Sequence, residues 1–157
     1  MRVRMGASIV GRDLHRYNGD CARRSVAYEG AMNDALNVLG GPLELCSTAP
    51  MTGYFRDGCC RTDDSDRGSH TLCAEVTEAF LAFSRARGND LTTPVPAYGF
   101  PGLKPGDRWC LCVTRWKEAY LAGAAPRVYL VGTHERALDV VTMEQLAPYA
   151  IDAIAFA

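Results

Sequence analysis

Apolar and polar positions fall into a readable order only from about residue 32 onward. Thr71 to Val76 alternates Leu72, Ala74 and Val76 against Thr71, Cys73 and Glu75, the period of two that predicts a short half-buried strand. Phe80, Leu81 and Phe83 then join Val76 in a helical stripe. Thr77 is placed to cap that helix, Arg85 and Arg87 suit the negative end of its dipole, and Gly88 stops it. Arg108 to Thr114 alternates again, with Trp109, Leu111 and Val113 on one face and Cys110 and Cys112 on the other. Arg115 to Ala122 reads as a helix ended by Gly123, and Arg127 to Val131 as a strand. Thr133 opens another helix, and Thr142 with Gln145 forms the capping box of a last one. The expected fold is therefore α+β: a single small domain with a short mixed sheet, helices packed against it and a long Pro/Gly-rich loop.

The breaks are as informative as the periods. Gly40-Gly41-Pro42 is turn chemistry. Asn89 to Asp107 holds four prolines, three glycines and no periodicity, so it reads as a loop. Structureless loops longer than about 12 to 15 residues are uncommon inside compact domains and often carry function. The plain alternative is an ordered surface wrap in which Tyr98 and Phe100 plug the core.

Composition changes the picture mainly by exclusion. A chain of 157 residues, 48% hydrophobic and 22% charged, fits one ordinary globular core. A formal net charge of −1 provides no broad positive field, so no nucleic-acid partner is expected. No run reaches the roughly 18 apolar residues of a membrane-spanning helix, so no membrane association is expected either. Met5 to Val10 falls short of the ~7 to 15 residues of a signal-peptide core. A cytoplasmic location follows, where thiols are kept reduced. The seven cysteines are then expected to be buried apolar groups, metal ligands or reactive thiols rather than a disulfide framework. Residues 1–31 carry six arginines and three acids with almost no apolar pattern. They read as a flexible arm or as the product of a start assigned upstream of Met32, with the second preferred, and residues 32–157 as the cysteine-rich globular domain.

Several long strings are distinctive: Asn37 to Glu44, Arg56-Asp57-Gly58-Cys59-Cys60, Arg87 to Leu91, Phe100 to Cys112 and Arg115 to Ala119. Through these, and through Thr133-His134-Glu135, the chain resembles the mostly bacterial family called domain of unknown function 2237, while residues 1–31 lie outside the resemblance. The resemblance implies a discrete domain that usually stands alone. It implies no reaction, ligand or partner.

The candidate chemistry lies in the thiols and imidazoles. Cys59 and Cys60 follow Arg56-Asp57 in a polar, glycine-containing stretch, where a neighbouring cation can stabilise a thiolate. In that reading His70 or His134 is the base, and Asp57, Asp90 or Asp107 orients it. A zinc reading takes Cys59, Cys60, Cys110 and Cys112 as ligands, although no pair of knuckles spaced by two to four residues is present. In the third reading the thiols are small core hydrophobes, favoured for Cys73 and Cys112 and weaker for Cys59-Cys60, because adjacent side chains do not both enter a core from an extended segment. Asn89, Asp90, Lys104, Asp107 and Arg108 are candidate ligand-binding groups beside the long loop, with Arg115 able to join an anion pocket. Trp109 and Trp116 read as packing anchors. Asp63, Asp64 and Asp66 read as a solvated loop rather than a calcium site, since the glycine at Gly68 is out of register. The reading carried forward is a small enzyme or small-molecule-binding domain with its pocket between Cys59-Cys60 and the Asn89 to Asp107 loop. A structural or interaction module with buried thiols, or a zinc-binding domain, is the alternative.

Overall fold

The computed structural model describes Cys21 and residues 35–152. Three strands, β1 (Leu72–Glu75), β2 (Arg108–Leu111) and β3 (Arg127–Val128), form a sheet in the order β2-β1-β3. Both ladders are antiparallel, and a single parallel bridge joins Val128 to Ala150. The α-helices are α1 (Glu78–Ala86), α2 (Val113–Leu121) and α3 (Met143–Leu146), supplemented by short 3-10 turns. This is a small α+β domain. No helix among the described residues is long and apolar enough to cross a membrane.

The strand periodicity acts on two cores rather than one. Leu72, Ala74 and Val76 of the β1 segment pack with Trp109 and Leu111 of β2 and with Phe80, Leu81, Val113 and Trp116 of α1 and α2. Burying each of the larger side chains contributes about 1.5 to 3 kcal/mol. Cys73 and Cys110 leave the other face of the sheet and meet Cys46 and Cys60, which a loop folds back over it. β1 is therefore buried on both faces, not half-buried as its polar alternation predicts, because cysteine and threonine at Cys73 and Thr71 are small enough to be covered.

Local signals place most helix ends. The Thr77 hydroxyl accepts from the Phe80 N–H at 3.1 Å, and Thr142 with Gln145 forms a complete capping box on α3. Trp116 is fully buried and donates its indole N–H to the Pro126 carbonyl at 3.1 Å. Three boundaries differ from expectation. β2 ends at Leu111 and the chain turns at Cys112, the N-cap of α2, so Cys110 and Cys112 do not share a strand face. β3 is only two residues long before a 3-10 turn at Leu130–Gly132. The Thr133 segment forms a 3-10 helix, Glu135–Asp139, capped by His134, because the Thr133 hydroxyl is engaged with Cys73 N–H and the Tyr129 carbonyl. The long loop is an ordered wrap. Val95 bridges to Phe100, Leu103 N–H donates to the Leu91 carbonyl, and Phe100 packs edge-on against Trp109 at 5.2 Å, whereas Tyr98 is 77% exposed and plugs nothing.

The cysteines correct the expectation of reduced thiols. Cys46 is bonded to Cys73, Cys60 to Cys110, and Cys21 to Cys59, with Cα separations of 5.8, 5.3 and 5.8 Å, all within the disulfide range. Cys112 is the free one. Cys21, assigned by composition to a separate arm, is fully buried and donates its N–H to the Leu43 carbonyl at 2.7 Å. The remainder of 1–31, and with it the question of arm or upstream start, lies outside the described residues.

Candidate functional site

β2 is an edge strand, and the segment Thr52–Arg56 runs beside it. The Thr52 hydroxyl, itself fully buried, accepts the outward N–H of Cys110 at 2.9 Å, so among the described residues the edge is closed by a side chain rather than by another strand. Gly53 lets the chain pass close: its φ is +101°, and a Cβ there would lie 2.4 Å from the Cys59 carbonyl oxygen. Across from this segment stands the loop from Asp90 to Phe100. Between the two opens a hollow of about 340 Å³ walled by Tyr54, Tyr98, Phe100 and Trp109, with Arg56 and His70 among its polar groups. Cys110 and Asp90 also contribute to the lining.

The polar groups are held from behind. Asp66 has a fully buried side chain; one carboxylate oxygen accepts His70 Nδ1 at 2.7 Å, and the other accepts the His70 N–H and the Thr62 hydroxyl, both at 2.9 Å. With Nδ1 donating to the carboxylate, a neutral ring keeps its lone pair on Nε2, which makes no hydrogen bond among the described residues. The ring is 40% exposed and stacks on Tyr54 at 6.2 Å between centroids. Gly68 makes room for it: a Cβ there would lie 2.6 Å from the His70 ring. Arg56 lays its guanidinium 5.3 Å over the Trp109 ring and has no carboxylate partner among the described residues. Its φ is +56°, and Ser69, immediately before His70, has φ +49°; such non-glycine residues concentrate where function constrains the backbone.

The sequence candidates scatter over this geometry. His70, Asp90 and Cys110 reach the hollow. The Asp90 carboxylate does not face a ligand freely. It accepts from the backbone and hydroxyl groups of Thr92 and Thr93, which hold it well below the usual carboxylate range, the Thr93 hydroxyl foremost. Asp57 is an internal brace, accepting from the Cys59 N–H at 3.1 Å and from the Arg61 guanidinium at 2.9 Å. His134 is buried, its Nδ1 accepts the Arg136 N–H at 3.0 Å, and burial pushes its pKa down. The Asn89 carbonyl accepts the Ser84 hydroxyl, and Asp107 accepts the Lys104 N–H in a turn. Arg108 stacks over Tyr129 at 4.3 Å and Arg115 reaches the Arg87 carbonyl and Glu118, so the anticipated anion pocket of Lys104, Arg108 and Arg115 is not assembled. Lys104 instead borders a second, larger hollow with Glu78, Leu81 and Arg85. That hollow has no buried polar group aimed into it among the residues lining it.

The thiol readings need correction. Cys59 and Cys60 are both fully buried after all, because the chain twists so that one enters a small core with Cys21 and Leu43 and the other enters the cysteine cluster under the sheet. Each sulfur is bonded, so neither is a free nucleophile here. The zinc set Cys59, Cys60, Cys110 and Cys112 is not brought together either: Cys112 sits half-buried at the start of α2 with its sulfur 3.0 Å from the Thr114 hydroxyl. What sequence reading missed is Asp66 as the partner of His70. Its signal was the Asp-x-Gly-x-His spacing, obscured by the neighbouring acids Asp63 and Asp64, which are exposed as expected.

A search of curated proteins finds no match to the chain. A family model described as an uncharacterized protein conserved in bacteria, domain of unknown function 2237, matches residues 36–150, and the chain belongs to that family.

Proposed function

We propose that this domain binds a small planar ligand bearing an anionic group, and that His70 accepts a proton or hydrogen bond from it. The observation that carries this reading is the Asp66–His70 contact, a fully buried carboxylate fixing a half-exposed imidazole at the mouth of an aromatic hollow. Tyr54, Phe100 and Trp109 offer flat apolar faces to the body of the ligand, and Arg56, free of any carboxylate partner among the described residues, supplies a fork for a carboxylate or phosphate. A few convergent polar groups in an otherwise apolar concavity are the usual composition of a small-molecule site. A buried orienting carboxylate behind a histidine is the supporting half of an activated-base arrangement. Cys59 and Cys60 have no part in this reading, because both are fully buried in disulfides, Cys59 with Cys21 and Cys60 with Cys110, and neither lines the hollow.

The chain has two tryptophans, and they serve as internal probe and control. With indole-labelled protein titrated with benzoate, 4-hydroxybenzoate and indole-3-carboxylate, the Trp109 N–H resonance shifts while that of the buried Trp116 stays fixed. Arg56→Gln weakens the response about tenfold or more, the loss of one charged hydrogen-bonding group. An unmoved Trp109 at millimolar probe, or equal binding by Arg56→Gln, would overturn the proposal.

A further inference from the structure

We propose that Cys46, Cys60, Cys73 and Cys110 form a tetrathiolate metal site, selective for zinc and similar soft-binding divalent ions, when their two disulfides are reduced. The register of the sheet puts the first pair in place. Cys73 and Cys110 are direct partners across β1 and β2, and their N–H groups point away from each other, to the Thr133 hydroxyl at 3.1 Å and the Thr52 hydroxyl at 2.9 Å. They are thus a non-hydrogen-bonded pair, the kind whose side chains stand closest, on one face of the sheet. The overlying loop delivers the other two. Cys46 N–H donates to the Gly58 carbonyl at 2.8 Å, which ties Cys46 to the turn that leads into Cys60.

The sulfurs of Cys46, Cys60 and Cys110 all lie within 4.8 Å of one another, and that of Cys73 is bonded to Cys46. Tetrahedral zinc with sulfur at about 2.3 Å places its ligand atoms roughly 3.8 Å apart. The sulfurs of Cys46, Cys60 and Cys110 thus need to draw in by only about 1 Å or less once the two bonds open, with Cys73, set beside Cys46 by its disulfide, as the fourth donor. All four residues are buried, between 0% and 5% exposed, as a closed structural site requires. The donor set is entirely sulfur, with no carboxylate or imidazole in the group among the described residues, which favours zinc over magnesium or calcium. Four thiolates on one divalent ion leave a net negative charge; Tyr129 packs against the cluster and carries the Arg108 guanidinium on its ring, a cation close by.

The chemistry balances without an unnamed partner. Two equivalents of a dithiol reductant each pass two electrons and two protons to one disulfide and close to cyclic disulfides, leaving four cysteine thiols. One zinc ion then binds four sulfurs and releases four protons. In a compartment that keeps thiols reduced, the metal-binding form is the resident one.

The experiment uses the full chain reduced with a dithiol, freed of reductant without air, and titrated with zinc or cobalt. The expected result is one ion per chain, four thiols shielded from a thiol reagent, and the absorption of tetrahedral cobalt bound by four thiolates. Cys112→Ser and Cys59→Ser keep that stoichiometry, and Cys73→Ser loses it. If Cys73→Ser fails to fold, the cobalt spectrum of the unmodified chain still decides. No binding by the reduced chain, a cobalt spectrum lacking four sulfurs, or loss of the site in Cys112→Ser overturns the proposal.

Discussion

Cys73 and Cys110 stand directly opposite each other on adjacent strands, yet neither is bonded to the other. Each is joined to a cysteine of the preceding loop, Cys73 to Cys46 and Cys110 to Cys60. Two disulfides thus pin one loop to the underside of the sheet, while Thr133 and Thr52 complete the backbone hydrogen bonding of the two strand cysteines. The same loop continues into Gly53–Arg56 and His70, so the walls of the aromatic hollow are fixed by the cluster beneath them.

The pairing fixes a thiol count. Chain oxidised in air, unfolded in denaturant and titrated with a thiol reagent should show one reactive thiol, Cys112, and seven after reduction. Seven before reduction would refute the disulfide pattern. Peptide mapping should recover the 21–59, 46–73 and 60–110 pairs, with no species linking 73 to 110.

Asp66 should matter more to stability than its place in an acidic loop suggests. Its carboxylate is the acceptor for three donors in a fully buried position, so Asp66→Ala leaves the His70 N–H and the Thr62 hydroxyl without their partner. The expected cost is roughly 1 to 3 kcal/mol in urea unfolding. Exposed Asp64→Ala should cost under about 0.5 kcal/mol. Nitrogen chemical shifts of His70 should also report a redistributed tautomer in Asp66→Ala and not in Asp64→Ala. Equal effects from the two substitutions would show that Asp66 is not holding the ring.

These particulars show what the sequence could and could not disclose. Thr77 with Phe80, and Thr142 with Gln145, place helix starts through bonds between near neighbours, so the pattern alone locates them. The strand alternation of Thr71 to Val76 was equally local. The Cys46–Cys73 and Cys60–Cys110 pairings join residues 27 and 50 positions apart, which become neighbours only where the register of β1 with β2 sets Cys73 beside Cys110 and the preceding loop folds over that face. Cys110 and Cys112 were placed on one face by extending the alternation past Leu111, where the chain leaves the strand to start α2. For the site, His70 and Asp90 were legible as chemistry-bearing types. Arg56 and Tyr54 join them only because Thr52 caps the free edge of β2 from an unpatterned segment.

Acid should weaken the fold through His134. Burial, the largest cause, holds its pKa below the ordinary value of 6.5, opposed by the negative charges of Glu135 and Asp139 and reinforced by Arg136. Between the lowered folded pKa and the unfolded value, the unfolded chain binds a proton that the folded chain refuses, so stability rises with pH through that window. Urea midpoints measured on either side of pH 6.5 should therefore fall as the pH is lowered and level off below the folded pKa. His134→Asn keeps an acceptor for the Arg136 N–H and should flatten that slope. An unchanged slope would assign the pH dependence to other groups.

Two glycines separate the cost of backbone conformation from the cost of contact. Gly40 and Gly53 both have positive φ, +84° and +101°, but a Cβ at Gly40 meets nothing within 4 Å, whereas at Gly53 it meets the Cys59 carbonyl oxygen at 2.4 Å. Gly40→Ala should cost only the conformational strain, about 1 to 2 kcal/mol. Gly53→Ala adds a backbone collision that can be relieved only by pushing the Thr52–Arg56 segment away from the turn at Cys59, and should cost more. Because Thr52 holds the β2 edge and Arg56 lies over Trp109, that movement should also shift the Trp109 indole resonance, which Gly40→Ala leaves in place. Equal unfolding costs and an unmoved Trp109 would mean that the close approach of Gly53 to Cys59 does not set the shape of the hollow.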